Sequence, residues 1–213
     1  MNFIGYNDKQ IEAIKETEGP LLVIAGAGSG KTRVLTTRVS YLIQEKNVLP
    51  ENILAITFTN KAAHEMKERI ESRRIQISTF HSFGLLLIKQ NYEKLGYKSN
   101  FTILDSDDTL TVIKKIIKDM DLDVKIYNPK AIRNKISSSK NELIDSGSYE
   151  KYVNTDYDKK VLEIFKRYEM KLKINNSLDF DDLLMQPIVL FKMYPDVLEQ
   201  YQEKYKYILI DEY

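Results

Sequence analysis

Leu21–Thr32 reads LLVIAGAGSGKT, and the rest of the chain is organised around it. The apolar run Leu21–Ile24 predicts a short buried strand. Gly26, Gly28 and Gly30 follow, with only Ala27 and Ser29 between them. Glycines let the backbone turn tightly, and the amides of such a loop close around phosphate oxygens. Lys31 is then placed to reach the outer phosphates, and the Thr32 hydroxyl to hold Mg²⁺. A helix predicted over Thr32–Gln44 puts the phosphates at its positive end. Ala25 stands where the general P-loop pattern has its first glycine. The bland alternative is a glycine turn joining a strand to a helix. The order strand, Gly-Lys-Thr, helix favours the nucleotide reading.

The remaining composition bounds the answer. The 213 residues suit one large domain or two small ones, and a 43% hydrophobic content supports a real core. A net charge of +1 imposes no global basic field, although a local basic groove can still hold nucleic acid. There is no cysteine and only two histidines, His64 and His81, which excludes disulfides and Cys-based zinc sites and fits a reducing cytosol. No apolar run reaches transmembrane length and no signal-peptide pattern opens the chain, so no membrane partner is expected.

Along the chain, Asn7 or Asp8 caps a helix bearing Ile11 and Ile14. Gln10 carries both a donor and an acceptor, which suits an adenine edge; alone it is an ordinary surface residue. Strands are predicted at Ile53–Phe58 and Ile75–Phe80, with helices from Thr59 to about Arg69 and from His81 to Leu95, closed by Gly96. Thr57-Phe58-Thr59-Asn60-Lys61 and Thr79-Phe80-His81-Ser82 therefore lie where strands end and helices begin, the ligand-binding edge of open α/β sheets. Hydroxyls, amides and helix starts there suit phosphates, and an exposed phenylalanine suits base stacking. The competing reading makes Phe58 and Phe80 core residues and the polar groups caps.

From Phe101 the strand–helix alternation stops. Asp105 or Ser106 caps a helix with Leu110, Ile113, Ile116, Ile117 and Met120 on one face. Short polar segments follow, with Lys130, Arg133, Lys135 and Lys140 as a basic cluster that is weak evidence for DNA contact. A helix from about Asp158 to Asn175 comes next. In LDFDDLL, Leu178–Leu184, Asp179 is a plausible N-cap with Asp181 and Asp182 in the first turn. Pro187 is expected to kink or break the following helix. Tyr207–Ile210 predicts a last strand delivering Asp211 and Glu212, a Walker B arrangement. Asp211 then holds Mg²⁺ through water, and Glu212 orients and deprotonates the attacking water. A buried strand with an acidic tip at the end of the chain is expected of a piece of a longer protein.

Gln10, AGAGSGKT (Ala25–Thr32), TFTNKAA (Thr57–Ala63), STFHS (Ser78–Ser82), LDFDDLL and ILIDEY (Ile208–Tyr213), in this order, resemble superfamily 1A DNA helicases of the Rep/UvrD/PcrA type, with the likeness to Rep strongest over Ile77–Asp105. The resemblance covers the whole chain, and the Ala25 start is usual in that family. It implies an α/β fold: an incomplete P-loop RecA-like parallel sheet over residues 1–84 and 177–213, interrupted by an all-helical subdomain at 85–176. By residue it implies ATP held by Gln10, Ala25, Gly26, Ala27, Gly28, Ser29, Gly30, Lys31, Thr32 and Arg33, the last stacking on the base. Lys31, Asp211 and Glu212 are catalytic, and Thr32 and Asp211 hold Mg²⁺. Thr57, Phe58, Asn60, Lys61, Thr79 and His81 fall on motifs that touch single-stranded DNA.

The implied function is ATP-driven 3′-to-5′ translocation on single-stranded DNA and unwinding at duplex junctions, in the cytoplasm. The implied partners are a second RecA-like domain of the same chain, which carries arginine fingers, and a dimer mate or accessory replication or repair proteins. Two departures stand out: the connection between Arg69 and Ile75 is short, and the Gln-Asp that continues the family motif after Tyr213 is absent. A P-loop phosphotransferase acting on a small molecule leaves Thr57–Ala63 and Thr79–Ser82 unexplained. A nucleotide-dependent binding module without catalysis leaves Glu212 unexplained in an intact parent, but stays open for this stretch by itself, which is expected to be inactive alone.

Overall fold

The computed structural model describes residues 1–70, 72 and 74–212; Glu71 and Arg73 of the short connection, and Tyr213 of the terminal motif, lie outside them. In chain order the elements are α1 (Asp8–Lys15), α2 (Lys31–Gln44), β1 (Ile53–Thr57), α3 (Asn60–Arg69), β2 (Gln76–Thr79), α4 (Phe80–Asn91), β3 (Thr102–Ile103), α5 (Ser106–Asp119), α6 (Pro129–Asn141), α7 (Asp156–Ile174), β4 (Ser177–Leu178), α8 (Asp182–Met193), α9 (Pro195–Lys204) and β5 (Tyr207–Ile210). They gather into two units, Met1–Phe83 with Pro195–Tyr213, and Gly84–Tyr194.

The first unit is built on a parallel sheet of order β2-β1-β5, with Ala55 opposite Ile77 on one side and Leu209 on the other. The central strand, ILAIT, is buried along its whole length, as a strand covered on both faces must be. Val39 and Leu42 of α2 and Ala63 and Met66 of α3 cover one face of the sheet. Leu54 and Ile56 meet Tyr205, Phe83 and Tyr201 on the other. A short parallel sheet among many helices fits the incomplete RecA-like fold.

Leu21–Ile24 departs from expectation. It forms no strand, and its side chains are exposed, Leu22 at 66% and Ile24 at 89%. An apolar run becomes a buried strand only when neighbours take up its amides and cover its faces. Among the described residues the sheet holds β2, β1 and β5 alone. Among the described residues β5 is an edge strand, and its Ile208 is 60% exposed.

The second unit buries α5, α6 and α7 around Ile113, Ile117, Ile132, Ile164, Phe165 and Tyr168. Asp105 and Thr155 each form a capping box, with Asp108 and Asp158. Where sequence predicts short polar segments, α6 forms instead. Asn128 caps it, Pro129 sits at its first turn, where a missing N–H costs nothing, and Ile132 and Ile136 bury its inner face. The middle is not wholly helical, since Thr102 and Ile103 pair in parallel with Ser177 and Leu178. Residues 177–194 pack within this unit.

Pro187 does not break α8. Having no N–H, it leaves the Leu183 carbonyl without its helical donor. Gly84 of α4 lies against that carbonyl so closely that a Cβ there would stand 1.8 Å from the oxygen. Among the described residues no helix is long and apolar enough to cross a membrane.

Candidate nucleotide and nucleic-acid site

Gly28 and Gly30 take φ of +74° and +81°, a region that L side chains rarely enter. Gly30 is the N-cap of α2, so the glycines turn the loop directly into the helix start. Lys31 folds back over that loop, its Nζ donating to the carbonyls of Ala25 at 3.2 Å and Gly26 at 3.0 Å. Ser29 Oγ also donates to the Gly26 carbonyl, at 2.7 Å.

The Thr32 hydroxyl donates to Asp211 Oδ2 at 3.0 Å, across 179 positions of sequence. Asp211 is buried, and its N–H donates to the Ile56 carbonyl at 2.8 Å. That bond carries the β1–β5 ladder one residue further and aims the carboxylate at α2. The next residue, Glu212, is exposed, with φ +63°. For a residue with a Cβ this conformation costs roughly 1–3 kcal/mol, and such strain concentrates at functional sites. Among the described residues no group of three or more His, Cys, Asp or Glu gathers around one point. A hydroxyl and a carboxylate oxygen side by side still fit Mg²⁺, a hard cation that takes one or two protein oxygens and completes its shell with water and phosphate.

Gln10 reaches the same loop from α1. Its Oε1 accepts from the Asn7 N–H at 2.9 Å, closing a capping box, and its Nε2 donates to the Ser29 carbonyl at 2.9 Å. Arg38 of α2 pins the other end of α1, donating to the carbonyls of Ala13 and Glu16. Arg33, exposed on α2, lies over the Tyr6 ring with its Cζ 4.2 Å from the ring centre. Sequence reasoning missed Tyr6; an aromatic four residues ahead of Gln10 was the signal available.

At the ends of β1 and β2, Phe58 is 73% exposed and Phe80 43%, so neither is a core residue. Asn60 and Lys61 are exposed and His81 half-buried. Thr57 is fully buried, and its Oγ1 has no hydrogen-bond partner. Thr79 is buried as well and works locally, its Oγ1 bonding the Ser82 hydroxyl and accepting from the Ser82 N–H.

In the second unit, LDFDDLL differs from its expected role. Asp181, not Asp179, holds the cap position of α8, yet Asp179 does accept the Asp182 N–H. Asp179 and Asp182 are both buried, each accepting the other's backbone N–H. Lys140, expected in the basic cluster, is 2% exposed and donates to Asp179 at 2.6 Å and Asp182 at 2.9 Å. The Tyr168 hydroxyl donates to Asp179 at 2.8 Å. Burial alone would discharge Lys140, but the two carboxylates outweigh it and hold the ammonium above the usual lysine value. Burial, with Asp179 nearby, pushes Asp182 up to about 6 against the pull of Lys140. Phe180, between the two buried aspartates, is 57% exposed.

Residues 6–213 match the profile of the UvrD/REP helicase N-terminal domain. The chain is 51% identical to the ATP-dependent DNA helicase PcrA of Bacillus subtilis (strain 168), over 100% of this chain and 30% of the relative. It is 46% identical to that of Leuconostoc citreum over 98% of this chain, and 47% to that of Staphylococcus epidermidis over 97%, each match covering 29% of the relative. The chain thus spans under a third of the length of these relatives, which carry the PcrA name where the sequence resemblance leans to Rep. The chain belongs to the UvrD/REP helicase N-terminal domain family.

Proposed function

We propose that this chain is the front portion of an ATP-dependent 3′-to-5′ DNA helicase of the cytoplasm, converting ATP hydrolysis into movement along single-stranded DNA and opening of duplex junctions. The observation that carries the proposal is the meeting of Thr32 with Asp211, which joins the phosphate loop to a carboxylate–glutamate pair at the tip of β5. Lys31 leaves the carbonyls of Ala25 and Gly26 to bind the outer phosphates, Gln10 reads the adenine edge, and Arg33 stacks on the base. Thr32 and Asp211 would hold Mg²⁺, which would neutralise charge on the phosphate oxygens. Glu212, exposed beside Asp211, takes the proton of the attacking water. Charge opposite the leaving phosphate comes from arginines of a second RecA-like domain.

The strand ends beside this site supply the DNA contacts, with Phe58 offering a stacking face and Asn60, Lys61 and His81 polar contacts to the backbone. Buried Thr57 and Thr79 shape that edge from beneath. A dimer mate or accessory replication and repair proteins belong to the same proposal.

The test is phosphate release by the full-length protein with and without single-stranded DNA. Stimulation by DNA, abolished over several orders of magnitude by Lys31→Ala in a folded variant, is expected. DNA-independent turnover with phosphate passed to a small acceptor favours a phosphotransferase and overturns the proposal.

A further inference from the structure

Arg33 is an exposed arginine with an aromatic ring beneath it and a carbonyl beside it. Its guanidinium carbon lies over the Tyr6 ring, 4.2 Å from the ring centre. Its Nη1 donates to the Gly5 carbonyl at 3.4 Å. Gly5 turns through φ +81°, and a Cβ there would come within 3.4 Å of Arg33 Nη2. Tyr6 is itself fixed at both ends. Its hydroxyl shares a 2.5 Å hydrogen bond with Thr37 Oγ1, one turn along α2 from Arg33. Its ring meets Phe3 edge to face at 6.4 Å, and its N–H donates to the Phe3 carbonyl at 3.1 Å. Around Gly30, the Gln10 amide and the Arg33 side chain are near neighbours, at 3.7 Å and 3.9 Å from the position a Cβ would take.

We propose that Tyr6 is a positioning residue for nucleotide binding: it backs Arg33 and presents the guanidinium as a flat, pre-formed platform for a purine base, beside the Gln10 amide that reads the base's edge. This rests on the reading of Arg33 as the base-stacking residue. An unsupported arginine has several freely rotating bonds to immobilise when a ligand arrives. Here the cation–π contact and the Thr37 bond have ordered them already, so less is lost on binding. The benefit falls on the base half of the nucleotide alone, because Tyr6 is linked to Arg33 and to no group assigned to the phosphates.

The test is titration calorimetry on this chain with Mg²⁺-ATP and, in parallel, with inorganic tripolyphosphate, which has no base. Tyr6→Leu is expected to weaken ATP about two- to five-fold, the range set by a surface cation–π contact, and to leave tripolyphosphate unchanged. Tyr6→Phe keeps the ring and stays within about two-fold of the parent. In an Arg33→Ala background, Tyr6→Leu is expected to have no further effect. Tyr6→Met fills the site without a ring and stands in should Tyr6→Leu not fold. Unchanged ATP affinity in Tyr6→Leu, an equal loss for tripolyphosphate, or full additivity with Arg33→Ala overturns the proposal while leaving the phosphate loop standing. A parent chain that binds neither ligand removes the nucleotide reading itself, and this proposal with it.

Discussion

Replacing Lys140 by Met tests the most heavily buried charge among the described residues. The ammonium is 2% exposed, 2.6 Å from Asp179 and 2.9 Å from Asp182. Methionine has nearly the same length and volume, so no large cavity opens and the change is mainly one of charge. Asp179 and Asp182 are then left facing each other in the core without a cation. Breaking a buried pair by removing one partner typically costs about 3–5 kcal/mol. That is a large fraction of the roughly 5–15 kcal/mol that holds a domain together, and in a unit of this size it lowers the melting temperature by on the order of 12–30 °C. Urea unfolding at pH 7, followed by far-ultraviolet circular dichroism, reads the loss directly. The triple variant Lys140→Met/Asp179→Asn/Asp182→Asn removes the charge and keeps an amide oxygen for each of the two backbone N–H groups. It also lets the Tyr168 hydroxyl turn to accept from the new side-chain amide at position 179 in place of donating to Asp179, and it should regain most of the stability. Lys159→Met, at an exposed pair with Asp156, should change nothing measurable. A loss under about 1 kcal/mol for Lys140→Met, or a triple variant as weak as the single one, would refute the charge argument.

Three further outcomes are expected. Phe58→Ala in the full-length protein should weaken single-stranded DNA binding by ~1–3 kcal/mol with an unchanged melting temperature, because the ring is 73% exposed; the pair of measurements is filter binding and a thermal melt. Gly84→Ala puts a methyl 1.8 Å from the Leu183 carbonyl and should destabilise by about 3 kcal/mol or more in urea titration. Asp182, raised to about 6 by burial from an unfolded value of about 3.9, binds its proton more tightly in the folded chain. Its contribution to stability is therefore complete below about pH 4 and lost as the pH rises through about 6; Asp182→Asn should flatten the urea midpoint across that window.

The features legible in sequence are those fixed by neighbours a few residues away. Asn7 and Asp105 announce helix starts because a cap acts over three residues; Thr155 caps α7 in the same way, although the sequence predicts that helix only from about Asp158. The Gly-Lys-Thr loop and the acidic tip of β5 carry their chemistry in their spacing, and the structure brings Thr32 and Asp211 together from opposite ends of the chain. Illegible features depend on partners far away in sequence. Nothing in the composition around Lys140 tells that its counter-ions lie 39 and 42 residues on. Pro187 reads as a helix breaker until Gly84, from another helix, is seen beside the carbonyl it frees. Leu21–Ile24 has the composition of a buried strand, but composition does not supply the strand that must lie beside it.

The exposure of Leu21–Ile24 and the edge position of β5 have a consequence for hydrogen exchange. Amides of β1, buried and laddered on both sides, exchange only when the unit opens as a whole. Those of Leu21–Ile24 have no such protection and should exchange within the first seconds of labelling, although they lead straight into the phosphate loop. Exchange mass spectrometry would then show a fast segment abutting the slow helix α2, with the boundary at Gly30. Any segment that came to pair with Leu21–Ile24 would be recognised by its ability to slow those four amides.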